Sequence, residues 1–201
     1  MRIKLLLATR NPGKVREIAA FFAELGWEVE PVPADAPEVV EDRDTFAGNA
    51  AKKAEEIAAF YNGPALADDS GLEVDALEGR PGVYSARFAG ENATDADNNR
   101  KLLEELSGLW PDDHPTARFV SAIALARPGQ ETLVSFGTLE GVITREARGS
   151  NGFGYDPHFE VERSGRTLAE MSVEEKNRIS HRAKALRSMV DMLRMEQDQQ
   201  A

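Results

Sequence analysis

The chain has 201 residues, a formal charge of −11, 41% hydrophobic and 7% aromatic residues, and no cysteine. This is a globular composition, long enough for a substantial core in one domain or two closely packed lobes, and its charge disfavours a general nucleic-acid binder while still admitting a small phosphorylated ligand beside local cations. Disulfides, thiolate nucleophiles and Cys-based metal centres are excluded; no apolar stretch reaches the ~18 residues of a membrane span and the N-terminal apolar run is too short for a signal peptide, so a soluble cytoplasmic protein is expected.

In chain order, Ile3 to Ala8 reads as a buried strand. It runs through Thr9, Arg10, Asn11, Pro12, Gly13 and Lys14 into a helical pattern at Val15, Ile18, Ala19, Phe22 and Leu25. Asn11 suits the N-cap and Pro12 the first helical position. The exposed N–H groups of such a helix start form an anion site. A cation at Lys14 opposes the helix dipole by about a few tenths of a kcal/mol, which makes sense if an anion lies between them. A capped surface helix with a solvated lysine is the alternative, and the spacing is not that of a Walker A loop. Glu28 to Val32 is a short strand, followed by an acidic connector most of whose carboxylates read as solvated. Thr45 caps a helix to about Tyr61, ended by Asn62, Gly63 and Pro64; Gly48 inside it hints at close packing.

Ala65, Leu66 and Ala67 lead into Asp68, Asp69, Ser70 and Gly71. Adjacent carboxylates at the end of an apolar run call for a cation, a proton or good hydrogen bonds; the competing reading is an exposed turn. Leu72 to Leu77 alternates like a strand and breaks at Glu78 to Gly82. A polar amphipathic helix over 94 to 107 precedes two long strands, Thr116 to Arg127 and Glu131 to Thr144, expected to pair as an antiparallel hairpin. Gly149 to Pro157 sets Phe153 and Tyr155 among three glycines, a corner where backbone can approach a flat ligand and an aromatic face can stack on it; a glycine-rich corner with a core Phe is the other reading. Ser172, with Glu175 three residues on, forms a capping-box pattern for a C-terminal helical segment with Ala183, Leu186, Met189 or Val190, and Leu193 on its apolar face. Lys176, Ser180, His181 and Arg182 bring donors near its start, with a solvated basic helix face as the other reading, the one preferred for Lys184, and a structural histidine as the other reading of His181. Residues 196 to 201 read as a polar tail after a single domain over 1 to 195. The element order predicts an α/β fold, a mixed, partly antiparallel sheet flanked by helices, in two closely packed lobes with the active site in the cleft between them.

Six motifs occur in one order: Thr9-x-Asn11-x-x-Lys14; Phe46-x-x-Asn49-Ala50-x-x-Lys53-Ala54; Ala67 to Leu72; Pro81-Gly82-x-Tyr84-Ser85-Ala86-Arg87; Phe153 to Pro157; and Ser180-His181-Arg182. That series, spanning residue 3 to about 193, resembles the inosine triphosphate pyrophosphatase, or Ham1-like, family. The resemblance implies Mg²⁺-dependent hydrolysis of ITP, dITP and XTP to the monophosphate and pyrophosphate by a homodimer, a house-cleaning activity that removes deaminated purines from the nucleotide pool. It implies a phosphate loop from Thr9 through Arg10, Asn11, Pro12 and Gly13 to Lys14, and a metal and catalytic carboxylate at Asp69, with Asp68 beside it and Glu41 as a second ligand. Ser70, Phe153, Gly154, Tyr155, Asp156, Lys176, His181 and Arg182 become substrate contacts. Asn151 departs from the small residue expected there. An all-oxygen Mg²⁺ site agrees with the residues, and either aspartate could deprotonate the attacking water. Donors from His181 and Arg182 would favour the 6-oxo group of hypoxanthine and xanthine over adenine. A Maf-type pyrophosphatase, a non-catalytic nucleotide-binding module and a structural subunit are the rival readings.

Overall fold

The computed structural model describes residues 3–10, 12–23, 25–108, 110 and 114–200. Six strands, β1 (Lys4–Leu7), β2 (Glu28–Pro31), β3 (Ala65–Val74), β4 (Thr116–Ala126), β5 (Leu133–Ile143) and β6 (Phe159–Val161), form one sheet in the order β2-β1-β3-β4-β5-β6. Strand β1 pairs in parallel with β2 and β3, and β5 pairs antiparallel with β6. The connection 127–132 is far too short for a parallel crossover, so the neighbours β4 and β5 are the expected antiparallel hairpin. Five α-helices complete the chain: α1 (Pro12–Ala23), α2 (Phe46–Tyr61), α3 (Asp95–Leu106), α4 (Val173–Ile179) and α5 (His181–Gln200). The mixed α/β class is as predicted. No helix among the described residues is long and apolar enough to cross a membrane.

Two compact units divide the chain, the first reaching Asp69 and adding Ser121–Gly137 and the segment from Arg182, the second comprising Ser70–Val120 and Thr138–His181. In the first unit, α1 turns Ile18 and Phe22, four residues apart, into a core with Leu5 and Leu7 of β1 and Leu66 of β3. Helix α5 adds Ala185, Leu186, Met189 and Leu193 at helical spacing. Thr45 caps α2 by accepting from Gly48 N at 3.0 Å, and Asn62 ends it in the left-handed region at φ 49°. A Cβ on Gly48 would stand 2.9 Å from Arg43 Cβ, which gives that glycine its packing reason. In the second unit, Leu102 and Leu106 of α3 meet Leu72 and Val74 of β3, Phe119 of β4 and Phe159 of β6. Reciprocal capping boxes start α3 at Thr94/Asp97 and α4 at Ser172/Glu175.

Three local expectations change. Asp68 to Gly71 is neither a strand end nor a turn: β3 runs unbroken for 10 residues through the aspartates, and the chain turns only at Asp75–Leu77, in a 3-10 turn where a strand was expected. Burial on both faces of β3 explains why the apolar run could not reveal its length. The C-terminal segment is two helices, parted at Ser180 with ψ 154°. The polar residues from Glu196 to Gln200 continue α5, where Glu196 accepts two bonds from Arg127 at 2.8 and 3.0 Å.

Candidate active site

Successive residues of a strand point to opposite faces, and this separates the two aspartates that the sequence places side by side. Asp68 accepts from Lys14 Nζ of α1 at 2.8 Å and from Arg182 Nε of α5 at 3.3 Å, both on Oδ2. Its Oδ1 accepts from Ser121 Oγ of β4 at 2.9 Å. Asp69 has a different partner, Lys53 Nζ of α2, 3.9 Å from its Oδ1. Lys53 also donates to Glu41 Oε1 at 2.7 Å and to the Asp68 carbonyl at 2.9 Å. Asp69 Oδ2 and Asn49 Nδ2 are buried with no hydrogen-bond partner among the described residues. Burial pushes the Asp69 carboxyl up to about 6; the Lys53 charge opposes this, Glu41 reinforces it, the neighbouring Asn49 amide lowers it, and Asp68 adds to the rise. Arg182, although buried, is held above its ordinary value by the carboxylates of Asp68 and Glu17.

A cavity of about 490 Å³ in this unit is lined by Thr9, Arg10, Lys14, Glu41, Lys53 and Asp68, together with apolar and loop residues. Of the residues expected at the phosphate and acidic positions, Thr9, Arg10, Lys14, Glu41 and Asp68 border this one space. Asp69 is not among the lining residues and reaches the cluster through Lys53. Arg10 braces the facing wall with Nη2 3.1 Å from the carbonyls of both Pro33 and Ala34. Pro12 and Gly13 open α1, whereas Asn11, the expected cap, lies outside the described residues.

The second unit carries the aromatic corner. Asp156, buried, accepts from Phe153 N at 3.1 Å and from Lys176 Nζ at 2.5 Å, and the same ammonium stands 5.5 Å from the Phe153 ring centre. Phe153 itself is 62% exposed, which leaves a face open for stacking. Gly152 is required at φ 80°, because a Cβ there would lie 2.0 Å from Asp156 Oδ2. Helix α3 grips Gly154 at both ends of the residue: its N–H donates to Asp95 at 2.7 Å and its carbonyl accepts from Asn99 at 2.8 Å. Tyr155 is buried and donates its hydroxyl to the Ser85 carbonyl at 2.8 Å; burial, then the Asp95 charge, raise the phenol well above its ordinary value. Its side chain thus supports the corner from beneath. Asn151, the departure noted in the sequence, donates to the Met171 carbonyl at 3.1 Å. The His181 ring stacks on Phe119 at 5.0 Å and 14°.

The chain passes between the units at Asp69–Ser70 and at His181–Arg182, so two neighbouring pairs of predicted residues are split. Arg182, expected beside His181 as a donor to a base, has its guanidinium bonded to Asp68 and Glu17. Sequence reasoning assigned no role to Lys53, Ser121 or Glu17. Lys53 was visible as the end of the Asn49-x-x-x-Lys53 step on α2, and Ser121 as a hydroxyl, fully buried, in an otherwise apolar stretch of β4. Nothing in the sequence marks Glu17.

Among the described residues no three His, Cys, Asp or Glu side chains cluster tightly enough to cage a metal. Glu41 and Asp69, both meeting Lys53, still suit Mg²⁺, which takes one or two carboxylates and completes its shell with water and substrate phosphate. The bare buried oxygen of Asp69 is the observation that fits such an ion.

The model of the Ham1 family matches residues 5–192. The chain belongs to the Ham1 family. It is 54% identical over 185 residues to a dITP/XTP pyrophosphatase of Geobacillus kaustophilus, covering 91% of this chain and 90% of that one. A dITP/XTP pyrophosphatase of an Exiguobacterium species is 52% identical over 189 residues, 93% of this chain and 95% of its own. Among solved structures, the Ham1 protein of Staphylococcus aureus superposes with a TM-score of 0.88 at 40% identity, over 96% of this chain and 99% of that chain. The nucleoside-triphosphatase/dITP/XTP pyrophosphatase of Mycobacterium abscessus does so with a TM-score of 0.77 at 43% identity, over 95% and 100%. Membership of the Ham1 family sets the Maf-type reading aside.

Proposed function

We propose that this chain hydrolyses deaminated purine nucleoside triphosphates, ITP, dITP and XTP, to the monophosphate and pyrophosphate. One observation supports the polyphosphate end above all: Lys14, Lys53, Glu41 and Asp68 line a single cavity at the start of α1. Lys14 and the N–H groups of that helix start bind phosphate oxygens, and Lys53 supplies a second cation. Mg²⁺, held by Asp69 and Glu41, would neutralise the triphosphate and the charge that develops on departing pyrophosphate.

Asp68 and Asp69 take separate roles in this reading. Asp68 already accepts three hydrogen bonds and serves as the anchor of Lys14 and Arg182. With the unpartnered oxygen of Asp69 turned to the ion, the other oxygen of the same carboxylate, 3.9 Å from Lys53, is left to orient water and take its proton. That water attacks the α-phosphorus, the bond to the bridging oxygen breaks, and pyrophosphate leaves. The aromatic corner of the second unit offers Phe153 as a stacking face for a purine, and Lys176 and His181 as donors that a 6-oxo group would accept. Adenine would leave such donors unpaired, which supports rejection of ATP. Action as a cytoplasmic homodimer belongs to the same proposal. Pyrophosphate release from purified protein with ITP, XTP, GTP and ATP, with and without Mg²⁺, tests it. Equal turnover of ITP and ATP would refute the base assignment, and no turnover despite tight binding would favour a nucleotide sensor.

A further inference from the structure

We propose that Glu17 is a positioning residue of the polyphosphate site, fixing Arg182 against Asp68 and setting the charge that Lys14 presents to an anion. The inference rests on reading the Lys14 cavity as a polyphosphate site. Glu17 lies three residues beyond Lys14 on α1, hence on the same helix face. It accepts from Arg182 Nη1 at 3.2 Å, while Arg182 Nε meets at 3.3 Å the same Asp68 oxygen that takes Lys14 at 2.8 Å. The Arg182, Asp68 and Glu17 side chains are only 7%, 3% and 17% exposed.

Arg182 is a cation at the second residue of α5, where the helix dipole disfavours it, and burial adds to that cost. One carboxylate shared with Lys14 leaves it half compensated. Glu17 supplies the other half, and within this quartet two positive charges meet two negative ones. An arriving phosphate draws Lys14 away from Asp68. Arg182, held from behind by Glu17, then remains to keep the buried aspartate paired. Removing the Glu17 charge has two consequences: the guanidinium loses its anchor, and the site carries one more net positive charge, so it grips anions harder. An ion pair of purely structural purpose would lower stability and leave anion affinity alone.

The test uses the full chain with Mg²⁺, following ITP hydrolysis and its inhibition by inorganic pyrophosphate, with thermal melts alongside. Glu17→Gln should lower kcat about tenfold and lower the pyrophosphate inhibition constant about three- to tenfold. Glu17→Asp keeps the charge on a shorter arm, and should hold that constant within about twofold while lowering kcat about threefold. A folded Glu17→Gln protein with the wild-type inhibition constant overturns the proposal. Should that variant not fold, Glu17→Asp decides alone: wild-type kcat, or a shifted inhibition constant, overturns it. A wild-type protein that pyrophosphate does not inhibit would instead overturn the polyphosphate reading.

Discussion

The two units treat their carboxylates in opposite ways. In the first, Asp68 and Asp69 are both buried: Asp68 is held by Lys14, Arg182 and Ser121, while burial pushes Asp69 up to about 6 against the opposing charge of Lys53. In the second, Asp97 and Glu175 are partly exposed and pulled down to about 2, Asp97 by its Thr94 capping bonds and then Arg100, Glu175 by Arg166 and then its Ser172 capping bond. The first arrangement buries carboxylates at a cost in desolvation; the second uses them to stabilise helix starts. A carboxylate's neighbours, rather than its residue type, assign it to one role or the other.

The largest effect expected from breaking this contrast is at Asp69. Asp69→Asn should lower turnover of ITP by about 10²- to 10⁴-fold with the fold intact, checked by pyrophosphate release and circular dichroism. Next, Lys14→Ala should cost about 10²-fold in kcat/KM and weaken inhibition by free pyrophosphate, because it removes a phosphate donor and a partner of the buried Asp68. Phe153→Ala sharpens the comparison from the other unit: KM for ITP should rise about tenfold through lost stacking, while pyrophosphate inhibition stays at its wild-type level.

Acid titration separates the units by sign. Asp69, raised in the folded protein, favours folding below its ordinary value of 3.8, and this contribution is lost as pH rises through about 6. Glu175, lowered from 4.5 to about 2, contributes above its ordinary value and loses that contribution as pH falls through about 2. In metal-free thermal melts, Asp69→Asn should therefore gain relative to wild type as pH rises from 4 to 7, whereas Glu175→Gln should lose its deficit between pH 4.5 and 2. The smallest effect is local: Thr45→Ala, which deletes the α2 cap, should cost about 1 kcal/mol in urea unfolding and leave kcat unchanged.

The features legible in the sequence are those settled within a few residues. The Thr45 cap, the Asn62 stop and the Ser172/Glu175 box are local hydrogen-bond patterns, and each stands where the sequence placed it. The length of β3 was not legible, since Asp, Ser and Gly inside a strand look like a turn until the partners of the aspartates are known. Strand β6, three residues long, offers too short a period to read. Lys53 stood in a quoted motif without a role, because only its approach to Glu41 and Asp69 gives it one.

By itself the amino-acid order determined the α/β class, the starts of α1 to α4, the glycine-aromatic corner and the membership of a family, all of which follow from short-range propensity and from motifs kept in sequence. Tertiary structure alone decided which aspartate is saturated with donors, that the guanidinium of Arg182 serves Asp68 and Glu17, and that Tyr155 supports the corner from below. The reason is distance: charge pairing and hydrogen bonding act over a few ångströms, and Asp68 finds its partners 54, 53 and 114 positions away along the chain.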